Sequence, residues 1–360
     1  MPKYDYTVEE RAGLGRISLY QGGPQADGLL LNANENSWPL PESVAGALRE
    51  TFKAPGFNRY PEIDAAGLRQ VLAPGTGVDA ANIRVGNGSS ELLCAACYVF
   101  GGNRRKIAYI YPSFSMYKTY AALSGGVDLP FALEEDFSLD FERLRFFLRK
   151  ERPAVMIICN PNNPTGNLYP AKELKRTAES AGCPVLIDEA YMEFAPEGSS
   201  LLGCLKEYKN IAVSRTFSKA YGLAGLRVGY MAAGDARIIQ ALGKAILPYN
   251  VNALSLALAR AVYAEKELYA QIACAIVKEK ERVYERLCTL GLKVYPSAAN
   301  FLFFRAGGRE KTAALAENAA RRRVFMRDFS ESPDLAGLRM TIGTYDENEK
   351  ALAVIKEFLA

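Results

Sequence analysis

The middle of the chain, from about residue 83 to residue 232, alternates short apolar segments with longer segments of helical periodicity. This alternation predicts a sheet whose strands are connected by helices. Several of the short segments are apolar throughout, which is typical of strands that are covered on both faces. The predicted strands are 83–85, 106–111, 154–159, 184–188, 210–215 and 228–233.

The pattern changes after residue 249. A long helical segment, 253–291, leads to two or three short strands and a closing helix. Because the chain is longer than a single core usually supports, we predict two domains. The predicted fold is α/β, with a large domain whose mostly parallel sheet is flanked by helices, and a smaller α+β domain. The predicted bounds are 1–27 for an N-terminal arm, 28–248 for the large domain and 249–360 for the small domain, to which the arm contributes.

Composition narrows the class of protein. Hydrophobic residues make up 49% and charged residues 23% of the 360 residues, which is ordinary for a globular enzyme. A net charge of +4 is too small to indicate a nucleic-acid or membrane partner. No apolar segment approaches the roughly 18 residues of a membrane span, and the first residues are too acidic and polar for a signal peptide. We therefore expect a cytoplasmic protein whose ligands are small molecules.

The cysteines and the absence of histidine limit the possible chemistry. Seven scattered cysteines are typical of reduced thiols rather than a disulfide framework. Cys94 and Cys97 form a C-x-x-C segment, but its apolar surroundings favour burial in the core over a metal site. The lack of histidine excludes Ser-His-Asp and Cys-His catalysis and removes the commonest metal ligand. We expect no metal, and acid–base chemistry must come from Lys, Tyr, Asp, Glu or Cys.

Polar residues follow four of the predicted strands, at the positions where open α/β sheets bind their ligands. These segments are GNGSSE (86–91), NPNNPTG (160–166), DEAY (188–191) and SRTFSK (214–219). Because the carboxyl ends of parallel strands lie at one edge of a sheet, the four segments predict a single site.

The first of these segments is suited to bind a phosphate group. Ser89 and Ser90 follow two glycines and open a predicted helix, whose backbone N–H groups attract anions. An ordinary strand-to-helix turn with an N-cap serine would explain the same residues. Thr216, Ser218 and Arg227 offer two hydroxyls and a guanidinium that could complete the phosphate site.

Asp188 ends an apolar strand, where a carboxylate is costly unless it meets a cation or good donors. Its partner could be a helix N-terminus, a salt bridge or a protonated ring nitrogen. Tyr191 and Asn163 could donate hydrogen bonds to an oxygen of the same ring. Phe114 could stack on the ring, although an aromatic residue in such a loop often serves packing.

Together these segments resemble the fold-type I aminotransferases, which use pyridoxal 5'-phosphate, and most closely the histidinol-phosphate aminotransferase family. The resemblance extends from about Tyr20 to Thr344. SRTFSKAYGLAGLRVGY (214–230) resembles the cofactor-lysine motif of the family, NPNNPTG its asparagine loop, and DEAYMEF its pyridine-facing carboxylate. The order and spacing of the three motifs make the resemblance highly specific.

The resemblance implies pyridoxal 5'-phosphate as the cofactor and gives roles to individual residues. Lys219 would bind the cofactor as an imine and later transfer the substrate proton, with Asp188 on the pyridine nitrogen and Tyr191 on the ring hydroxyl. Thr216, Ser218 and Arg227 would join the two serines on the phosphate. The implied cofactor-binding residues are Ser89, Ser90, Phe114, Asn163, Asp188, Tyr191, Thr216, Ser218, Lys219, Arg227 and Tyr60.

The resemblance also implies a homodimer and an anionic substrate. Tyr60 resembles a tyrosine that reaches the cofactor phosphate of the neighbouring subunit, so the two active sites would be shared. Arg339 resembles the arginine that binds the substrate carboxylate, and Arg327 and Tyr20 resemble residues that bind a substrate phosphate. The implied substrate-binding residues are Tyr20, Asn34, Asn163, Arg327 and Arg339.

Three functions stay open at this point. The first is transfer of an amino group from histidinol phosphate to 2-oxoglutarate. The second keeps the cofactor with a different amine, as in an aromatic or other amino-acid aminotransferase or a threonine-phosphate decarboxylase. The third is a cofactor-binding regulator without turnover, which we disfavour because we expect no DNA-binding segment beside the core.

Overall fold

The structure is a computed structural model that describes residues 10–11, 14–17, 27–53 and 58–360. Over these residues the chain forms twelve strands and eleven α-helices, arranged as two sheets with helices packed against them. None of the described helices is both long enough and apolar enough to cross a membrane.

The strands fall into two groups along the chain. They are β1 (Leu29–Leu31), β2 (Ile83–Asn87), β3 (Lys106–Tyr111), β4 (Val127–Ala132), β5 (Val155–Cys159), β6 (Val185–Asp188), β7 (Ile211–Thr216), β8 (Val228–Ala233), β9 (Lys293–Tyr295), β10 (Phe301–Arg305), β11 (Val324–Asp328) and β12 (Leu338–Thr341).

The α-helices alternate with these strands. They are α1 (Glu42–Lys53), α2 (Ala66–Thr76), α3 (Gly88–Phe100), α4 (Met116–Ser124), α5 (Phe141–Glu151), α6 (Ala171–Ala181), α7 (Ala236–Gly243), α8 (Ala253–Ala264), α9 (Lys266–Thr289), α10 (Arg309–Arg321) and α11 (Tyr345–Leu359).

The larger sheet has seven strands in the order β2-β8-β7-β6-β5-β3-β4. Strand β8 runs antiparallel to both of its neighbours, and the other pairs are parallel. Every residue of β5, β6 and β8 is buried, because helices cover both faces of the sheet. The predicted α/β class with a mostly parallel sheet is confirmed.

The smaller sheet has five strands in the order β1-β11-β12-β10-β9. The β1–β11 pair is parallel and the other pairs are antiparallel. A second core of apolar side chains lies between this sheet and helices α9, α10 and α11. Strand β1 therefore joins residues early in the chain to the C-terminal sheet.

Local signals explain several helix ends. Thr344 and Glu347 form a capping box at the start of α11, which satisfies two backbone N–H groups that the helix leaves unpaired. Helix α6 ends at Gly182, whose φ of 62° lies in the left-handed region that glycine adopts easily. The predicted helical segment 253–291 divides near Glu265 into α8 and α9.

The strands predicted from apolar segments are present, whereas three others lack that signal. Strand β4 lies at the sheet edge and is mostly exposed, and it contains Asp128 and Pro130. Strand β1 has only three residues. Strand β11 has one buried residue, Val324, and ends with an arginine and an aspartate. Sequence patterns detect buried strands better than edge or partly exposed ones.

The domain bounds stay a prediction. The predicted large domain begins at residue 28, yet β1 pairs with β11 of the smaller sheet because Leu31 packs into that second core. The bound at residue 28 therefore does not separate the two sheets. Most of the predicted arm, 1–27, lies outside the described residues.

Candidate active site

The predicted site residues gather around one cavity of about 420 Å³. It lies at the carboxyl ends of β5, β6 and β7 and extends toward β11 and β12. The predicted residues that line it are Asn34, Ser89, Ser90, Phe114, Asn163, Asp188, Tyr191, Thr216, Ser218, Lys219, Arg227, Arg327 and Arg339.

Asp188 forms the acidic part of the cavity. As the last residue of β6 it lies in register with Cys159 of β5 and Ser214 of β7. Its carboxylate accepts hydrogen bonds from the Tyr117 hydroxyl and the Ser214 hydroxyl, each at 2.8 Å. Burial raises the pKa of Asp188, and these hydrogen bonds act in the opposite direction. The site thus holds a buried carboxylate that would gain from a cationic partner.

Lys219 lies three residues beyond β7 and reaches into the same cavity. Its Nζ donates a hydrogen bond to the carbonyl oxygen of Ala33 at 2.8 Å. Burial, assisted by the positive charges of Arg339 and Arg227, lowers the pKa of Lys219 to about 8, although Glu35 opposes the shift. About a tenth of this amine is therefore neutral, and hence nucleophilic, at pH 7.

A candidate anion site lies beside the lysine, at the start of α3. Gly88 has a φ of 72°, which residues with a side chain rarely adopt, and a Cβ there would lie 2.6 Å from Nη2 of Arg227 and displace that guanidinium. The Arg227 guanidinium donates to the Ser218 hydroxyl at 3.2 Å, and the Thr216 hydroxyl donates to the same oxygen at 3.0 Å. Ser89 follows in the first helical turn. The cluster is suited to a phosphate group.

The Tyr191 hydroxyl lies in a network of amide and guanidinium groups. It accepts hydrogen bonds from Asn34 Nδ2 at 3.0 Å and from Asn163 Nδ2 at 3.2 Å, so its own proton can be donated into the cavity. Burial raises the pKa of Tyr191, which keeps that proton in place. Arg339 donates to Asn163 Oδ1 at 2.5 Å and to the carbonyl oxygen of Asn32 at 2.6 Å.

Aromatic rings and a second arginine complete the lining. The Phe114 ring packs edge-on against Tyr117, with ring centroids 5.6 Å apart and an interplanar angle of 86°. Arg327, on β11, has its guanidinium 5.9 Å from the centroid of the Phe329 ring. The cavity therefore has arginines at two places, Arg227 at the anion site and the pair Arg327 and Arg339 toward the smaller sheet.

Among the described residues, one predicted site residue, Tyr60, does not line the cavity. Tyr60 is 80% exposed, and its ring stacks on Tyr249 with centroids 4.5 Å apart and an interplanar angle of 18°. Tyr20 lies outside the described residues. Within this chain, therefore, Tyr60 contacts a surface ring rather than the anion site.

Several residues around the cavity were not among the predicted ones. Tyr117 and Ser214 bind the Asp188 carboxylate, and Asn32, Glu35 and Phe329 line the cavity. The signal for Ser214 was its place on the strand next to Asp188, since neighbouring parallel strands end at the same edge. The signal for Tyr117 was its position three residues after Phe114 at the start of a helix.

The chain matches known families over nearly its whole length. The model of the family "Aminotransferase class I and II" matches residues 26–355. A histidinol-phosphate aminotransferase from Thermoanaerobacter pseudethanolicus is 35% identical over 331 residues, which are 91% of this chain and 92% of the relative. Another, from Ruminiclostridium cellulolyticum, is 37% identical over 349 residues, 95% of this chain and 96% of the relative.

A solved structure has the same fold. It is that of histidinol-phosphate aminotransferase from Sinorhizobium meliloti in complex with pyridoxal-5'-phosphate. The two chains superpose with a TM-score of 0.89 over 98% of each, at 23% sequence identity.

Proposed function

The chain belongs to the class I and II aminotransferase family, and we propose that it is a histidinol-phosphate aminotransferase that uses pyridoxal 5'-phosphate. It transfers the amino group of histidinol phosphate to 2-oxoglutarate and forms imidazole acetol phosphate and glutamate. Within the structure, one observation supports this most directly. Asp188 and Lys219 line one cavity together with an anion site and a pair of further arginines.

The residues of the cavity fit pyridoxal 5'-phosphate. The anion site fits its phosphate, because backbone N–H groups, two hydroxyls and Arg227 converge there. Phe114 offers an aromatic face for a flat ring, and Tyr191 offers a hydrogen-bond donor for a ring oxygen. When bound, the cofactor supplies a ring that accepts the electron pair left when the substrate loses its Cα proton.

Asp188 and Lys219 have complementary tasks in this proposal. The Asp188 carboxylate would keep a ring nitrogen protonated, since opposite charges about 4 Å apart would interact by roughly 4 kcal/mol at an effective dielectric of about 20. Lys219 would hold the cofactor, and its Nζ would accept the proton from the substrate Cα. The lowered pKa of Lys219, about 8, supports both uses of its neutral amine.

Arg327 and Arg339 support an anionic substrate. Both line the part of the cavity that lies toward the smaller sheet, away from Arg227. Two arginines suit the phosphate of histidinol phosphate and the carboxylates of glutamate and 2-oxoglutarate, because guanidinium groups bind both kinds of anion bidentately. Asn34 and Asn163 both donate to the Tyr191 hydroxyl, and Asn163 also accepts a hydrogen bond from Arg339. These bonds orient Tyr191 and Arg339 in the cavity.

The proposal includes a cytoplasmic homodimer with shared active sites. Tyr60 supports it, since an exposed tyrosine that stacks on Tyr249 at the surface is available to a second subunit. Each of the seven cysteines lies within the described residues and is a free thiol, as expected in a reducing compartment.

A donor screen on the enzyme tests the proposed function. Stoichiometric histidinol phosphate should convert the bound aldehyde to the amine form in an absorbance half-reaction, and 2-oxoglutarate should restore the aldehyde. Phenylalanine, threonine phosphate and glutamate serve as alternative donors. Faster conversion by phenylalanine would favour an aromatic aminotransferase, and release of carbon dioxide from threonine phosphate would identify a decarboxylase.

Arg327→Ala tests the substrate phosphate contact. Loss of charge-assisted hydrogen bonds should raise KM for histidinol phosphate about 10- to 100-fold, with a much smaller change for glutamate. Arg321→Ala is the matched control, because Arg321 is exposed, pairs only with Glu317 among the ion pairs of the described chain, and does not line the cavity. An equal rise in KM for histidinol phosphate and for glutamate would contradict the assignment of Arg327 to the substrate phosphate.

A further inference from the structure

Two buried hydroxyl groups, one from a helix and one from the neighbouring strand, bind the two oxygens of the Asp188 carboxylate. Oδ2 accepts a hydrogen bond from Tyr117 of α4, and Oδ1 accepts one from Ser214 of β7, each at 2.8 Å. The Tyr117 and Ser214 side chains belong to residues that are completely buried. Neither hydroxyl lines the cavity, so both act on the site only through Asp188.

Hydrogen bonds within the chain use part of the acceptor capacity of the carboxylate. A carboxylate has about four lone-pair positions. Tyr117 and Ser214 each donate to a different oxygen of Asp188. Asp188 also lines the cavity, so an acceptor position that these two leave can meet a donor that enters there. The two internal bonds, one to each oxygen, therefore restrict both the rotation and the direction of the carboxylate.

The surroundings of Asp188 keep these donors in their donating form. Tyr117 faces it from α4, Cys159 from β5 and Ser214 from β7. Burial and the charge of Asp188 raise the pKa of Tyr117, and burial also raises the pKa of Cys159. Both groups stay neutral, and none of the three neighbours carries a positive charge. A cation that pairs with Asp188 must then come from the cavity.

We propose that Tyr117 and Ser214 are positioning residues that hold the Asp188 carboxylate ionised and aimed at the ring nitrogen of pyridoxal 5'-phosphate. The inference rests on the proposed function, because that function supplies the cofactor. The two hydroxyls offset the cost of burying the charge before the cofactor binds. Without one of them, Asp188 would be a weaker partner for the protonated ring nitrogen and free to rotate away from it.

Single and double hydroxyl deletions test the inference. Tyr117→Phe keeps the ring that packs on Phe114, and Ser214→Ala removes little volume. Tyr109→Phe is the matched control, because Tyr109 is also a buried tyrosine whose hydroxyl donates to an aspartate, Asp128, away from the cavity.

Two measurements on each variant report on the ring nitrogen rather than on turnover. The first is the dissociation constant of pyridoxal 5'-phosphate from the reconstituted apoprotein. The second is the pH dependence of the nitrogen NMR shift of isotopically labelled bound cofactor. Tyr117→Phe and Ser214→Ala should each weaken cofactor binding about tenfold and let the ring nitrogen lose its proton at lower pH.

The outcomes separate this inference from the proposed function. If the wild-type protein does not bind the cofactor through Lys219, the proposed function and this inference both fail. If it does, and Tyr117→Phe and Ser214→Ala behave like Tyr109→Phe in both measurements, only the inference is overturned. The inference is supported if Tyr117→Phe and Ser214→Ala each lower the pH at which the ring nitrogen loses its proton, and if the double variant lowers that pH further. Ser214→Ala decides the matter alone if Tyr117→Phe does not fold.

Discussion

Glu189, the residue after Asp188, forms a buried ion pair whose removal should destabilise the whole large sheet. Its side chain is fully buried and accepts three hydrogen bonds. They come from Arg215 Nε at 2.9 Å, the Ser200 hydroxyl at 2.7 Å and the backbone N–H of Leu201 at 2.7 Å. This pair anchors the loop after β6 to the end of β7.

Glu189→Gln keeps the shape of the side chain but removes its charge and one acceptor oxygen. The side-chain amide nitrogen of the new glutamine cannot accept a hydrogen bond, so a group that donates to Glu189 in the wild type would lose its acceptor. Arg215 would also lose one of its two carboxylate partners. Each lost hydrogen bond to a charged acceptor is worth about 1.5–3 kcal/mol. Breaking a buried ion pair by removing one partner costs about 3–5 kcal/mol, which agrees with the loss of roughly two such bonds.

Urea unfolding followed by far-ultraviolet circular dichroism measures this loss as a change in the free energy of unfolding. Glu193→Gln is the control, because Glu193 also pairs with Arg215 at 2.8 Å but its side chain is 16% exposed. We expect a loss of about 1 kcal/mol for the control, nearer the value for surface pairs. Equal losses for the two variants would refute the reasoning that burial of Glu189 sets the cost.

Three further predictions concern single residues of known environment. Burial lowers the pKa of Lys219 to about 8. The rate at which the apoprotein captures pyridoxal, followed by stopped-flow absorbance, should therefore rise up to that pH and then level off. A rate that keeps rising about tenfold per pH unit to about pH 10 would contradict this pKa. Burial also lowers the pKa of Lys280 to about 8, so the unfolded chain binds more protons above that pH and this group's contribution to stability rises with pH. If Lys280→Met has a higher free energy of unfolding in urea than the wild type, that difference should therefore shrink by about 3 kcal/mol between about pH 8 and pH 10.5. A difference that stays constant over this range would contradict the lowered pKa of Lys280. Gly88→Ala should lower both the stability of the protein and its affinity for the cofactor, because the new Cβ would meet Arg227. Gly77→Ala is the control: Gly77 has a similar φ but nothing within 4 Å of a Cβ, so this variant should lose only about 1 kcal/mol of stability. Similar cofactor affinities of the two variants would argue against the clash with Arg227.

The cofactor side of the site was predictable because its residues follow buried parallel strands. Asp188 ends one apolar segment and Lys219 follows another, and such segments indicate central strands, which end at one edge of the sheet. The sequence order of the motifs therefore translated directly into spatial proximity. Gly88 could be assigned in the same way, since a glycine between a strand and a helix is a local signal.

The contacts that the sequence did not reveal depend on register and on packing between distant segments. Ser214 lies opposite Asp188 only because β6 and β7 pair in that register. Tyr117 reaches the same carboxylate because α4 packs with its tyrosine directed at the sheet. The parallel pairing of β1 with β11 joins a three-residue strand to a segment far along the chain, and no local pattern specifies such a partner.

The pairing of β1 with β11 has a consequence for how the cavity is built. Asn34, Arg327 and Arg339 all extend from the five-stranded sheet, whereas Asp188 and Lys219 extend from the seven-stranded one. Hydrogen bonds from Asn34 to Tyr191 and from Arg339 to Asn163 join these two sets across the cavity. A substitution that shifts β1 against β11 would therefore displace polar groups at the carboxyl ends of the larger sheet as well as the arginines of the smaller one.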